Sequence, residues 1–262
     1  MDPILTVLRL GEIERPIGSY GVAVAMGLIL GAFMAGRSAY RSGIDVGGAI
    51  AAIGFAVAGG LAGASSMFWL VELIRTGSLT AGLEQPGLVF YGGPLGGALG
   101  LWFGARKLEL PLGRFLDVAI AGLPAGHALG RLGCFFGGCC YGRAWDGPWA
   151  VRYTHPMAPA AWPPILRHPT PLYESLLLMA FAWVLVLWPP SHVGTGRRAG
   201  VYLIGYACIR LVTELFRGDT VRGIYFGFVS TSQLISLALF AVGLAIVLVT
   251  TRRIRALKED AP

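Results

Sequence analysis

Seven apolar stretches separated by polar joints decide what this chain can fold into. They lie at Tyr20–Gly36, Val46–Ile74, Leu88–Ala105, Phe115–Leu132, Leu172–Trp188, Gly200–Phe216 and Ser232–Thr250. A helix needs roughly 20 mostly apolar residues to cross a bilayer. In lipid, every backbone N–H and C=O must be paired within its own segment, so the stretches predict helices rather than open sheet. Val46–Ile74 is long enough for a tilted helix or for an outer extension. Phe115–Leu132 and Gly200–Phe216 are interrupted by Gly, Pro or charge. The chain is 13% charged, against about 25% in soluble domains. The 39 glycines suit helices that approach closely. The expected fold class is all-α: a polytopic membrane protein of about seven helices, one transmembrane domain over residues 1–262.

The N-terminal stretch MDPILTVLRLGEIERPIGSY is too short in its apolar part to be a secretory signal. It suits a short amphipathic helix lying in the interface. The formal net charge of +7 comes almost wholly from arginine. Beside seven apolar stretches, that excess fits cytoplasmic flanks and anionic headgroups rather than nucleic acid. Arg37, Arg41, Arg106, Lys107, Arg114, Arg197, Arg198 and the basic tail all fall on one side. The positive-inside rule makes that side cytoplasmic and puts the N-terminus outside. Residues 133–170, rich in Pro, Trp and Gly, then form a long external loop.

Polar groups within the apolar stretches are the candidates for function, because an arginine at membrane depth costs at least ~2.5–3.5 kcal/mol. Tyr206, Arg210, Glu214 and Arg217 follow at helical spacing and are expected on one helix face. Two arginines around one carboxylate leave a positive charge that a lipid phosphate would match. An internal ion pair of Glu214 with either arginine is the plainer alternative. Tyr91 beside Gly92 and Gly93 exposes backbone to a ligand or serves helix packing. In HPTPLYES, His168 precedes a helix start and Glu174 reads as a structural cap.

The segment GRLGCFFGGCCYGR, Gly130 to Arg143, holds three of the four cysteines. Four readings stand. A metal would need a fourth ligand such as His127 or His155 beside Cys134, Cys139 and Cys140. A disulfide would join Cys134 to Cys139 or Cys140. A nucleophilic thiol would draw on Arg131 and Arg143. Small-residue packing is the fourth. Cys208 reads as packing.

Together these segments resemble the bacterial prolipoprotein diacylglyceryl transferases over most of the chain. The family signature Gly-Arg-x-Gly-Asn-Phe-x-Asn-x-Glu-x-x-Gly is matched by Gly130, Arg131, Gly133, Phe135 and Gly142. Tyr20, Tyr91-Gly92-Gly93, His168 to Glu174, and Ser232-Gln233 are similar to four further family segments. Tyr206, Arg210, Glu214 and Arg217 match a YxxxRxxxExxR helix in full. The departures are Cys134 and Cys139 where the family has Asn and Glu, Gly137 for a second Asn, and Tyr91 for a His.

The resemblance implies a divergent transferase of the bacterial inner membrane. It would move the diacylglyceryl group of phosphatidylglycerol to a lipoprotein cysteine, with no cofactor and no resident metal. Arg131, Arg210, Tyr91, Cys134, Cys139 and Glu214 are the implied catalytic candidates. Tyr20, Gly92, Gly93, Arg143, His168, Tyr206, Arg217 and Gln233 are the implied substrate-binding ones. A thiol-dependent lipid-modifying enzyme using Cys139 or Cys134, and a non-catalytic phospholipid-binding protein, are the other two expectations.

Overall fold

The computed structural model describes residues 3–10, 13–78, 80, 87–89, 91–188, 196–218, 223–225 and 229–259. It divides into two compact units, residues 1–34 with 120–262, and residues 35–119.

The chain opens with an antiparallel hairpin, β1 (Ile4–Leu10) and β2 (Ile13–Gly18), where an interfacial helix was expected. Ile4, Thr6, Val7 and Ile13 are β-branched and favour a pleated surface. An exposed cross-strand pair, Arg9 to Glu14 at 2.9 Å, adds little beyond register.

Helices follow in every apolar stretch. α1 is Ser19–Arg41, α2 Val46–Thr76, α3 Gly92–Lys107, α4 Leu112–Ala119 and α5 Leu123–Gly137. α6 is Thr170–Val186, α7 Arg197–Glu214 and α8 Thr231–Glu259. A two-residue ladder, β3 (Ile224–Tyr225) with β4 (Val229–Ser230), precedes α8. Four segments among the described residues are long and apolar enough to cross a membrane: Ser19–Arg41, Val46–Thr76, Leu112–Gly137 and Thr231–Ile254. The third includes a turn at residues 120–122 between α4 and α5. The protein is therefore a predominantly helical membrane protein.

In the unit of residues 35–119, Asp45 starts α2 by accepting the N–H groups of Gly47 and Gly48 at 3.1 and 2.7 Å. Gly77, at φ 69°, ends it. α2 and α3 run antiparallel with backbones almost touching. A Cβ on Gly59, Gly63, Gly92, Gly96 or Gly100 would collide with carbonyls of the facing helix. Small residues at four-residue spacing permit that approach, which in lipid supplies packing and weak polar contacts.

The same device holds α1 to α5 in the other unit. Gly27 faces Gly126 and Gly31 faces Gly122, with a Cβ on Gly27 placed 2.6 Å from the Gly126 carbonyl oxygen. Ser175 on α6 donates to the Ala128 carbonyl of α5 at 2.8 Å. Phe181 of α6 stacks on Tyr202 of α7, and Gly200 of α7 faces Gly243 of α8.

α5 runs on to Gly137, so the expected long loop begins at Gly138 rather than Gly133. The segment from there to Pro169 has its own small core. Tyr153, Ala158, Ala160 and Ala161 are buried against Phe135, Tyr141 and Val151. Arg167 covers the Tyr141 ring at 4.5 Å. Its backbone pairs with Ala144 and Val151, so the segment is ordered by bridges rather than draped.

Candidate functional site

Three helices and the turn after α5 bring buried charges together in the unit of residues 1–34 with 120–262. α5 carries Arg131, whose Nη2 lies 3.0 Å from Glu174 Oε1 on α6. Glu174 Oε2 faces Arg210 Nη1 of α7 at 3.7 Å. One turn on, Glu214 meets Arg210 Nη2 at 2.6 Å, and that same Nη2 donates to Ser232 Oγ of α8 at 2.8 Å. All four charged side chains are 12% exposed or less, so solvent screens them little.

Glu174 is therefore not a helix cap. The N-cap of α6 is Pro169, with no side-chain hydrogen bond there, and Pro171 initiates the helix. Arg131, Arg210, Glu174 and Glu214 sum to zero.

Arg217 does not share the helix face, because α7 ends at Glu214. Arg217 pairs through its backbone with Gly142, and its side chain is buried. Tyr206, one turn before Arg210, sits 5.5 Å from the His127 ring and 6.0 Å from Tyr202.

The cysteines adjoin this network. Gly138, at φ 67°, caps α5 and lets the chain reverse. Cys139 N–H then donates back to the Cys134 carbonyl at 3.1 Å. Cys140 takes φ 56°, unusual for a residue with a Cβ, and Thr170 Oγ1 secures its carbonyl at 2.7 Å. The result is three sulfurs within 4.8 Å of one another.

Arg131 Nη1 donates to Cys140 Sγ at 3.6 Å, which joins the cysteines to the ion network. Hydrogen bonds with Cys134 and Cys139 hold the Cys140 thiol far below its ordinary range. Hydrogen bonds with Cys134 and Cys140 push the Cys139 thiol up. Burial pushes the Tyr153 phenol up, and the nearby Cys139 adds to it.

A second polar cluster lies at the head of α6. His168 stacks on Trp145 at 4.3 Å, and its Nδ1 is 3.1 Å from Tyr173 Oη, which accepts from Trp149 Nε1 at 2.8 Å. Burial, and then Arg143, hold His168 below its ordinary value. The Arg143 side chain is exposed, while its backbone joins Phe216 to His168.

Other expected residues sit apart. Gln233 Oε1 accepts the Ser230 N–H at 2.8 Å while Ser230 Oγ accepts the Gln233 N–H at 3.2 Å. That is a capping box at the start of α8, and the polar contact to Arg210 falls to Ser232 instead. Tyr20, half-exposed in the first turn of α1, packs at Gly133, next to Cys134 in sequence. Tyr91, Gly92 and Gly93 belong to the other unit, where Tyr91 precedes α3 and both glycines face α2.

Sequence reasoning had set Glu174 and Ser232 outside the site. The signal for Glu174 was a carboxylate one turn into an apolar helix, where burial demands a cation.

Residues 6–249 match the family described as prolipoprotein diacylglyceryl transferase. A phosphatidylglycerol–prolipoprotein diacylglyceryl transferase of Clostridium tetani is 28% identical over 232 residues, 87% of this chain and 91% of that protein. One of Geobacter sulfurreducens is 29% identical over 267 residues, 97% of this chain and 96% of that protein. One of Methylocella silvestris is 36% identical over 176 residues, 65% of this chain and 62% of that protein. A family match over nearly the whole chain leaves one conclusion: this protein belongs to the prolipoprotein diacylglyceryl transferase family.

Proposed function

We propose that the protein transfers the diacylglyceryl group of phosphatidylglycerol to the cysteine thiol of a prolipoprotein. It would do so in the bacterial inner membrane, with the N-terminus and the segment after α5 outside and the C-terminus cytoplasmic, on seven membrane-crossing helices. The observation that carries the reading is the pair of buried guanidiniums, Arg131 and Arg210, joined through Glu174 and placed at residues that match two family motifs.

The reaction needs a held phosphate, an activated thiol and a neutralised leaving group. Arg131 supplies the first and third. Its Nε is buried with no hydrogen-bond partner among the described residues, an unspent donor of the kind a phosphate oxygen accepts. Arg210, held by Glu214 and Ser232, adds the second positive charge. Because the quartet is neutral, phosphate binding displaces Glu174 from one arginine, which frees a carboxylate to take the acceptor's proton. The acceptor sulfur then forms a C–S bond to the glyceryl carbon. The C–O bond to phosphate breaks, and its electron pair leaves on glycerol phosphate, stabilised by the guanidiniums. Tyr206, His168, Arg143, Arg217 and Tyr20 are the substrate-binding residues we assign beside this network.

A thiol-dependent variant is favoured by one contact. Cys140, rather than Cys134 or Cys139, faces Arg131. The deciding experiment is rescue of a strain that lacks its own family enzyme, paired with transfer from labelled phosphatidylglycerol by the purified protein. Wild type is expected to transfer, and Arg131→Ala or Arg210→Ala to abolish transfer. Lipid binding with no turnover by wild type would refute the transferase reading and leave a phospholipid-binding protein.

A further inference from the structure

Three cysteines close on one another where α5 ends, beside the buried charges. Cys134, Cys139 and Cys140 arrive from a helix, its capping turn and a left-handed residue, yet their sulfurs lie within 4.8 Å of one another. Three sulfurs about 2.3 Å from a tetrahedral zinc ion sit about 3.8 Å apart, so small rotations of the side chains bring this trio to bonding distance. No fourth histidine, cysteine or carboxylate joins the cluster among the described residues. Three protein ligands with one open position distinguish catalytic zinc sites from closed structural ones.

Three further observations fit an ion there. Zinc with three thiolates carries one net negative charge, and the Arg131 guanidinium donates to it through Cys140 Sγ at 3.6 Å. The Tyr153 hydroxyl is buried without a hydrogen-bond partner among the described residues and lies within electrostatic reach of all three sulfurs. Such an orphan donor is what a metal-bound water or thiolate would satisfy. Cys140 also holds a backbone conformation that L-residues avoid, which turns consecutive cysteines toward one point.

We propose that Cys134, Cys139 and Cys140 bind a zinc ion whose fourth position takes the acceptor thiol. The inference rests on the transferase reading for its purpose, not for its geometry. A thiol that coordinates zinc is deprotonated outright, and the Glu174 carboxylate that phosphate binding frees takes its proton. The bound thiolate attacks the glyceryl carbon, the C–O bond breaks toward phosphate, and the resulting thioether, a poor ligand, leaves the ion. Arg131 touches both Cys140 and Glu174, so the metal-bound sulfur and the phosphate meet at one guanidinium.

The test uses the full-length protein, purified in detergent under reducing conditions without added metal. Elemental analysis should find about one zinc per chain, and single Cys134→Ser, Cys139→Ser and Cys140→Ser variants should lower it at least about tenfold. Cys208→Ser, on an exposed position of α7, should keep it. Cobalt exchanged into wild type should give sulfur-to-metal charge-transfer absorption, a readout that does not depend on how the variants fold. A strong chelator should cut diacylglyceryl transfer at least about tenfold, with added zinc restoring it.

Wild type free of zinc and unable to bind cobalt overturns the proposal. So does copper in place of zinc, or mass spectrometry that finds two of these cysteines joined in a disulfide. The two readings fail separately. Transfer that survives complete zinc removal sinks the metal and spares the transferase. Zinc bound at three cysteines with no transfer by wild type sinks the transferase and spares the site.

Discussion

Replacing Glu174 with Gln removes one negative charge from between two arginines and changes little else in shape. Glu174 is 2% exposed, with its oxygens 3.0 Å from Arg131 and 3.7 Å from Arg210. Arg210 keeps Glu214 and Ser232, whereas Arg131 keeps no carboxylate partner among the described residues. Removing one partner of a buried ion pair costs about 3–5 kcal/mol, because the other charge stays buried and unpaired. Gln retains an acceptor oxygen, so the low end applies, about 3 kcal/mol. At about 2–4 °C per kcal/mol for a chain of this size, Tm falls by about 6–12 °C. The assay is thermal unfolding of the purified protein in neutral detergent. Its second arm adds lipid. Two arginines sharing one remaining carboxylate attract an anion, so phosphatidylglycerol should stabilise Glu174→Gln more than wild type, and phosphatidylcholine should not. Glu214→Gln should cost less, since Arg210 still has Glu174. An unchanged Tm in Glu174→Gln, or equal stabilisation of both proteins by both lipids, would show that Glu174 does not hold the two arginines.

Further outcomes follow from single contacts. Arg131→Lys keeps the charge but not the fork that reaches Glu174 and Cys140 together, and labelled diacylglyceryl transfer should drop at least about tenfold in a folded protein. Gly27→Ala places a methyl 2.6 Å from the Gly126 carbonyl oxygen and should destabilise the α1–α5 contact by about 1–3 kcal/mol, read as a lower Tm. Burial, and then Arg143, hold His168 below its ordinary value of 6.5, so the unfolded chain takes up the proton first. Stability is then full above pH 6.5 and lost as pH falls, and His168→Gln should flatten that slope in unfolding at pH 5 against pH 7.5. Gln233→Ala opens the capping box of α8 and should cost about 1 kcal/mol without touching lipid binding.

Which of these residues could be read from sequence follows from the range of the force that places each one. Helices in the apolar stretches were legible because lipid solubility and backbone pairing act on every residue of a segment at once. The Arg210–Glu214 pair was legible because a four-residue spacing on a helix fixes proximity. The capping box of Ser230 and Gln233 is equally local, and a serine three residues before a glutamine announces it. The N-terminal hairpin was not legible, because Ile4 to Leu10 is short and satisfies a strand or a helical face equally well. Glu174 was misread as a cap because its partners come from α5 and α7, and only the packing of three helices brings them to it.

The cysteines combine both cases. That Cys139 and Cys140 follow a pair of glycines was visible, and so was the turn those glycines permit. That the turn brings both sulfurs back to Cys134, one helical turn inside α5, required knowing that α5 runs to Gly137 before it breaks. Had the helix ended at Leu132, as the apolar pattern suggested, Cys134 would lie in the same loop as the other two and nothing would fix their distance. The extra turn of helix converts a scatter of thiols into a cluster held against Arg131.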